Sequence, residues 1–133
     1  MTDVSDSELK SVIADFLEMG HVENIVAMFR SEPLYFAWAG DILRDERFNV
    51  RLGLTIVFEE LKESGCPGLE KAIPALQELL DNESSLLRGE AIGILGLIGT
   101  HEAIRLIRDM SSDPNPQVRE MVELALAEFR DQK

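Results

Sequence analysis

Three arginines, Arg51, Arg88 and Arg119, each follow an apolar residue, and each stands shortly after an aspartate, at Asp45, Asp81 and Asp113. A guanidinium stays charged and presents its donors as a planar fork. A recurring Arg–carboxylate pattern is therefore either a row of ligand contacts or a ladder of hydrogen bonds and ion pairs between structural units. Exposed pairs of this kind are worth about 0–1 kcal/mol each, so as structural contacts they would set register more than stability. The other reactive side chains do not converge. His21 and His101 each lie beside a turn without a cysteine or carboxylate at metal-ligand spacing, and His101-Glu102 alone is not a ligand set. Cys66, in Ser64-Gly65-Cys66-Pro67-Gly68, is the single cysteine, which excludes an internal disulfide and a thiolate-rich metal cage. It reads as an inert loop cysteine. Nucleophile-elbow, phosphate-loop and dinucleotide signatures are absent. No catalytic, cofactor-binding or metal-binding residue is expected. The acidic clusters Asp41, Asp45, Glu46 and Glu59, Glu60, Glu63 read as solvated helix faces.

The elements that position the arginines are helices. Ser5 and Glu8 have capping-box spacing, and Leu9, Val12, Ile13, Phe16 and Leu17 recur at helical intervals as far as Gly20. Further helices are predicted over 21–30, 34–43, 48–62, 69–80, 85–98, 101–110 and from Pro116 to Phe129. Ser31 is the expected cap of the third, with Pro33 in its first turn, and Asn115-Pro116 opens the last as N-cap and first helical residue. No segment alternates like a strand. Eight helices on short turns give four hairpins, with Gly65 to Gly68 the sharpest break.

Three hairpins share one pattern, in which a polar turn leads to an apolar residue, an arginine and a helix. The segments begin at Asp45, Asp81 and Asp113, and the arginines step by 37 and then 31 residues. Counting from Val50, Leu87 and Val118, positions four, seven, eight and eleven are apolar in every copy: Leu54, Val57, Phe58, Leu61; Ala91, Ile94, Leu95, Ile98; Val122, Ala125, Leu126, Phe129. Periods of this size mark a solenoid, because one hairpin cannot bury its own apolar face and stacked hairpins can.

Ala72-Ile-Pro-Ala-Leu-Gln-Glu-Leu-Leu-Asp81, then Leu87-Arg88, then Leu95-Gly-Leu-Ile-Gly99, resembles a HEAT repeat. The short step, with Asp113-Pro-Asn-Pro-Gln-Val-Arg119, is most similar to the bilin-lyase type of HEAT-like repeat. The resemblance is specific over 69–131, fair from 33 and weak before it. It implies an all-α fold, a right-handed α-α superhelix of about eight helices in four hairpins, with second helices lining a concave surface. Residues 1–133 are then one domain: 1–32 a degenerate capping repeat, then clearer repeats at 33–68, 69–99 and 100–133. The 37-residue step departs from the pattern. The resemblance also implies that Asp45, Asp81 and Asp113 with Arg51, Arg88 and Arg119 form a ladder of hydrogen bonds and ion pairs between repeats, which is the role expected of them over a ligand-binding row.

On each second helix, positions two, six and nine lie opposite the core stripe. They are Leu52, Ile56 and Glu59, then Gly89, Gly93 and Gly96, then Glu120, Leu124 and Ala127. This face is expected to bind a partner. Glycine inside a helix costs about 0.8–1 kcal/mol relative to alanine, so three on one face imply close approach there. Either a partner segment docks along them, or they relieve crowding between stacked helices. Leu34-Tyr35-Phe36-Ala37-Trp38 is open in the same way, as a helix buried between repeats or an exposed aromatic hot spot.

Acidic residues number 25 against 13 basic ones, for a net charge of −12. Such a surface repels nucleic-acid backbones and anionic membranes and suits a basic protein partner. Met1 to Lys10 has neither the basic start nor the apolar core of a signal peptide, and no run is long enough to span a bilayer, so a cytoplasmic location is expected. The expected function is a non-catalytic scaffold or adaptor that docks a protein partner on its concave face. The alternative is an accessory subunit of an enzyme, or a cofactor-attachment or maturation factor resembling bilin lyase subunits.

Overall fold

The computed structural model describes residues 5–131; the first four residues of the segment read above for targeting signals lie outside them. Among the described residues every regular element is helical. The helices are α1 (Asp6–Glu18), α2 (Val22–Ser31), α3 (Ala39–Leu43), α4 (Phe48–Glu63), α5 (Ile73–Leu79), α6 (Ser85–Ile98), α7 (His101–Arg108) and α8 (Pro116–Asp131). Even-numbered helices stack side by side in one layer, α2 on α4, α4 on α6 and α6 on α8, while α3 packs on α5 behind them. The fold is an α-α solenoid.

The caps follow from local chemistry. Ser5 accepts from the Glu8 N–H at 3.1 Å, Thr100 from Ala103 at 3.2 Å, and Asn115 from Gln117 at 2.8 Å. Each hydroxyl or amide oxygen satisfies a donor that the first helical turn leaves orphaned. Two first helices are shorter than the periodicity implied. Pro33–Trp38 and Leu69–Ala72 are 3-10 turns leading into α3 and α5. Pro74, at the start of α5, has no N–H to give, and its ring crowds the carbonyl four residues back, so the preceding turn tightens. Ser31 is not a cap. It ends α2 and donates to the Met28 carbonyl, and the Glu32 carboxylate accepts from Leu34 instead.

The aromatic run belongs to the core. Phe36 and Trp38 are buried and Tyr35 is half-buried. Phe36 meets Phe29 of α2 edge-on at 5.6 Å, and Phe58 of α4 closes the cluster. The repeated apolar positions of α4, α6 and α8 are buried, except Ile98, Leu126 and Phe129, which are half-buried at the helix ends.

Ion pairs tie successive hairpins. Lys10 of α1 meets Asp41 of α3 at 2.7 Å, and Arg47 meets Asp15 of α1 at 3.0 Å. Arg51 reaches Glu90 of α6 at 3.0 Å. Arg88 grips both oxygens of Asp113 at 2.9 and 3.0 Å. The ladder therefore exists, but of the three expected aspartates only Asp113 crosses between hairpins. Asp45 turns back on Arg47, and Asp81 lies exposed.

The structure shows why. The repeating position is six residues before each arginine, which is Asp45, Asn82 and Asp113. Each accepts from the backbone two residues on, at 2.9, 2.8 and 2.9 Å, and each offers its carbonyl to its own arginine, at 2.9, 2.9 and 2.6 Å. Asn82 is neutral, and Arg51 takes its carboxylate from Glu90.

The Arg88 guanidinium holds the Asp113 carboxyl below its usual range, against the opposing effect of burial. A depressed folded-state value stabilises the fold above the unfolded value of about 4, and that stability is lost as pH falls through the folded value. Arg88→Ala should lower stability at neutral pH by leaving the Asp113 carboxylate without its cation, read by denaturant unfolding. Asp113→Asn should flatten the loss of stability below about pH 4.

A side chain at Gly40 would stand 2.8 Å from the Ala75 backbone oxygen, whereas one at Gly93 would meet only the flexible end of Met121, at 3.3 Å. Gly40→Ala should therefore destabilise by about 1–3 kcal/mol through overpacking. Gly93→Ala should be neutral or stabilise by up to about 1 kcal/mol through helix propensity. Thermal unfolding of the pair checks both.

Candidate protein-interaction groove

The inner second helices, α4 and α6, have second-helix neighbours on both sides, which narrows the arc each shows to solvent. On α6, Gly96 is covered most tightly. A side chain there would stand 3.0 Å from the Ala125 Cβ, and one at Gly89 would lie 3.6 Å from Met121. Gly89 and Gly96 are buried, so the expectation that they face outward is corrected. They relieve crowding where α8 packs across α6. Gly93 is partly open, at the edge of the same seam.

The remaining positions reach solvent. Glu59, Gly93, Gly96 and Leu124 border one shallow groove of about 200 Å³ across α4, α6 and α8, floored by Leu97, Met121 and Ala125. Leu52 and Ile56 border another, of about 320 Å³, between α4 and the end of α1 near Met19. Gly89 lies at the base of a third, of about 150 Å³, beside Leu86 and Met121. Glu120, Leu124 and Ala127 line the outer side of α8 with Arg130. The nine residues thus fall along adjoining depressions rather than in one pocket.

Positions read too narrowly from the sequence complete the surface. Counting as before, the positions that reach solvent on all three helices include the one just before the apolar residue, the sixth and the tenth. They add Leu86, Leu97, Asn49, Gln117, Glu60 and Glu128. Leu86 is 54 % exposed, Leu124 55 % and Leu52 44 %, so the apolar content is presented rather than incidental. Carboxylates of Glu59, Glu60, Glu120 and Glu128 stand exposed around it. The signal that could have found this arc was the Leu86-Leu87 doublet, since only one of two adjacent leucines can face the core.

Among the described residues, no three His, Cys, Asp or Glu side chains converge as a metal cage, and no helix is long and apolar enough to cross a membrane. What the surface offers is apolar contact within an acidic rim.

Comparison with known proteins agrees with the architecture. Deoxyhypusine hydroxylase from Arabidopsis thaliana is 41 % identical over 64 residues. That match covers 46 % of this chain and 20 % of the hydroxylase, so the chain spans a small part of its relative. A family profile described as HEAT repeats matches residues 37–132, which takes in the Leu69–Ala72 turn, all of α3 to α8 and the three repeat arginines Arg51, Arg88 and Arg119. The chain belongs to the HEAT-repeat family.

Proposed function

We propose that this chain is a non-catalytic protein-interaction scaffold that holds a basic, amphipathic partner segment along the exposed face of α4, α6 and α8. The observation that carries this reading is the run of exposed apolar side chains on those helices, Leu52, Leu86 and Leu124, bordered by exposed carboxylates. A basic amphipathic helix would place its apolar face on the leucines and its cations against the rim. The net charge of −12 would steer such a segment in. Met121 and Met19, flexible and polarizable, let the surface adapt to more than one sequence. In this reading residues 1–32 cap the stack, 33–68, 69–99 and 100–133 are its fuller repeats, and the setting is the cytoplasm.

A second reading, an accessory subunit of an enzyme, is favoured by the 64-residue similarity to a hydroxylase. The 31-residue step between Arg88 and Arg119 extends it to factors like the bilin lyase subunits that assist cofactor attachment.

Three synthetic helical peptides with one apolar face and cationic, neutral or anionic polar faces separate these outcomes by calorimetry. The cationic peptide should bind tightest, weaken with salt, and protect the amides around Gly93 from exchange. Leu86→Arg with Glu59→Arg, both at exposed positions, should cut its affinity by about tenfold or more, or 1.4 kcal/mol, without changing the melting temperature. Equal binding of all three peptides, or an affinity unmoved by the double variant, would exclude the groove as the docking site.

A further inference from the structure

We infer that the depression between the end of α1 and α4 takes one long cationic side chain, a lysine or arginine of the segment bound in the groove, with the Glu18 carboxylate as its counter-ion. This rests on the reading above and names the residue that selects a cation at that end of the groove. The depression, of about 320 Å³, lies between two elements of the stack rather than on a terminal face. Leu52 and Ile56 of the proposed surface form its α4 wall, and Glu18, Met19 and Val22 close the other side.

Among the described residues two carboxylate oxygens are buried without a hydrogen-bond donor, Glu90 Oε2 and Glu18 Oε2. The ladder accounts for Glu90, whose other oxygen is held by Arg51 at 3.0 Å. Glu18 enters none of the ion pairs of the described residues, and no residue lining the depression is basic. It also stands in the last turn of α1, where the helix carbonyls present negative charge and no basic residue offsets them. Burial without a donor and the helix dipole therefore both oppose a charge at this position. A carboxylate that costs the free fold stability and has no partner within it points to a partner from outside. An arriving ammonium or guanidinium would meet the carboxylate and the carbonyl end of α1 together. Its methylene stem would lie on Leu52, Ile56 and the exposed Met19 while its charge reached Glu18. The carboxylate turns on a soft terminal torsion, so the buried oxygen can swing to the cation and accept a charge-assisted hydrogen bond. An apolar or anionic side chain in the same place would leave Glu18 unpaired.

Calorimetry with the cationic peptide, built with lysines, tests this on the intact chain. Each lysine in turn is replaced by norleucine, which keeps the stem and removes the charge. Against the wild type, replacing one lysine near an end of the peptide should cost about tenfold or more in affinity. Against Glu18→Gln the same replacement should cost little, while every other lysine should matter as much as before. The free Glu18→Gln protein should melt at or above the wild-type temperature, because the substitution removes a charge that has no partner. A melting temperature well below wild type would make Glu18 a structural residue. Affinities that fall equally for all peptides in Glu18→Gln, or that do not change, would deny it a cation of its own. Either result overturns the assignment and leaves the groove standing. If the wild type binds none of the peptides, the groove reading falls and the assignment falls with it.

Discussion

No helix pair in this chain can cover its own apolar face, and the rest of the structure follows from that constraint. Second helices carry an apolar stripe toward their first helices and must also meet the second helices beside them. The seam between α6 and α8 shows how closely. A single added carbon at Gly96 would stand 3.0 Å from the Ala125 Cβ. Glycine's loss of helix propensity, about 1 kcal/mol, is offset by the contact it permits, because interiors are packed without spare volume. The ion pairs act on top of this packing. They fix which turn meets which helix, and their partial exposure keeps them from being the main source of stability.

The core was legible from the sequence because burial is periodic. Four apolar positions recurring behind Val50, Leu87 and Val118 named the side chains that face inward, and the N-caps at Ser5 and Asn115 were readable from residue type alone. The first helices were less legible, since a tight turn before Pro74 and an α-turn show the same apolar spacing over so few residues. The ladder was half legible. Its arginines were plain, but its acceptors depended on register: Asp81 looked like the repeating aspartate, while Asn82 holds that place in space and Glu90 supplies the charge. The groove was legible in outline only. A face lying opposite the core stripe was assumed to be open, yet neighbours claim part of it, and the open arc turns toward Leu86 and Leu97.

Charge and shape then divide the surface. Along α4, α6 and α8 an apolar strip lies within carboxylates, which suits a basic amphipathic segment. That reading rests on side chains that the stack holds out to solvent, so it depends on the second helices staying in register.

The most direct test of that register is a double-mutant cycle between Gly96 and Ala125. Gly96→Ala, Ala125→Gly and the pair are compared by denaturant unfolding. If the two backbones are as close as the structure has them, the alanine at 96 destabilises the chain, and removing the methyl at 125 recovers the loss, giving a coupling of about 1 kcal/mol or more. Additive effects, with Gly96→Ala no worse in the presence of Ala125 than in its absence, would contradict the stacking on which the account stands.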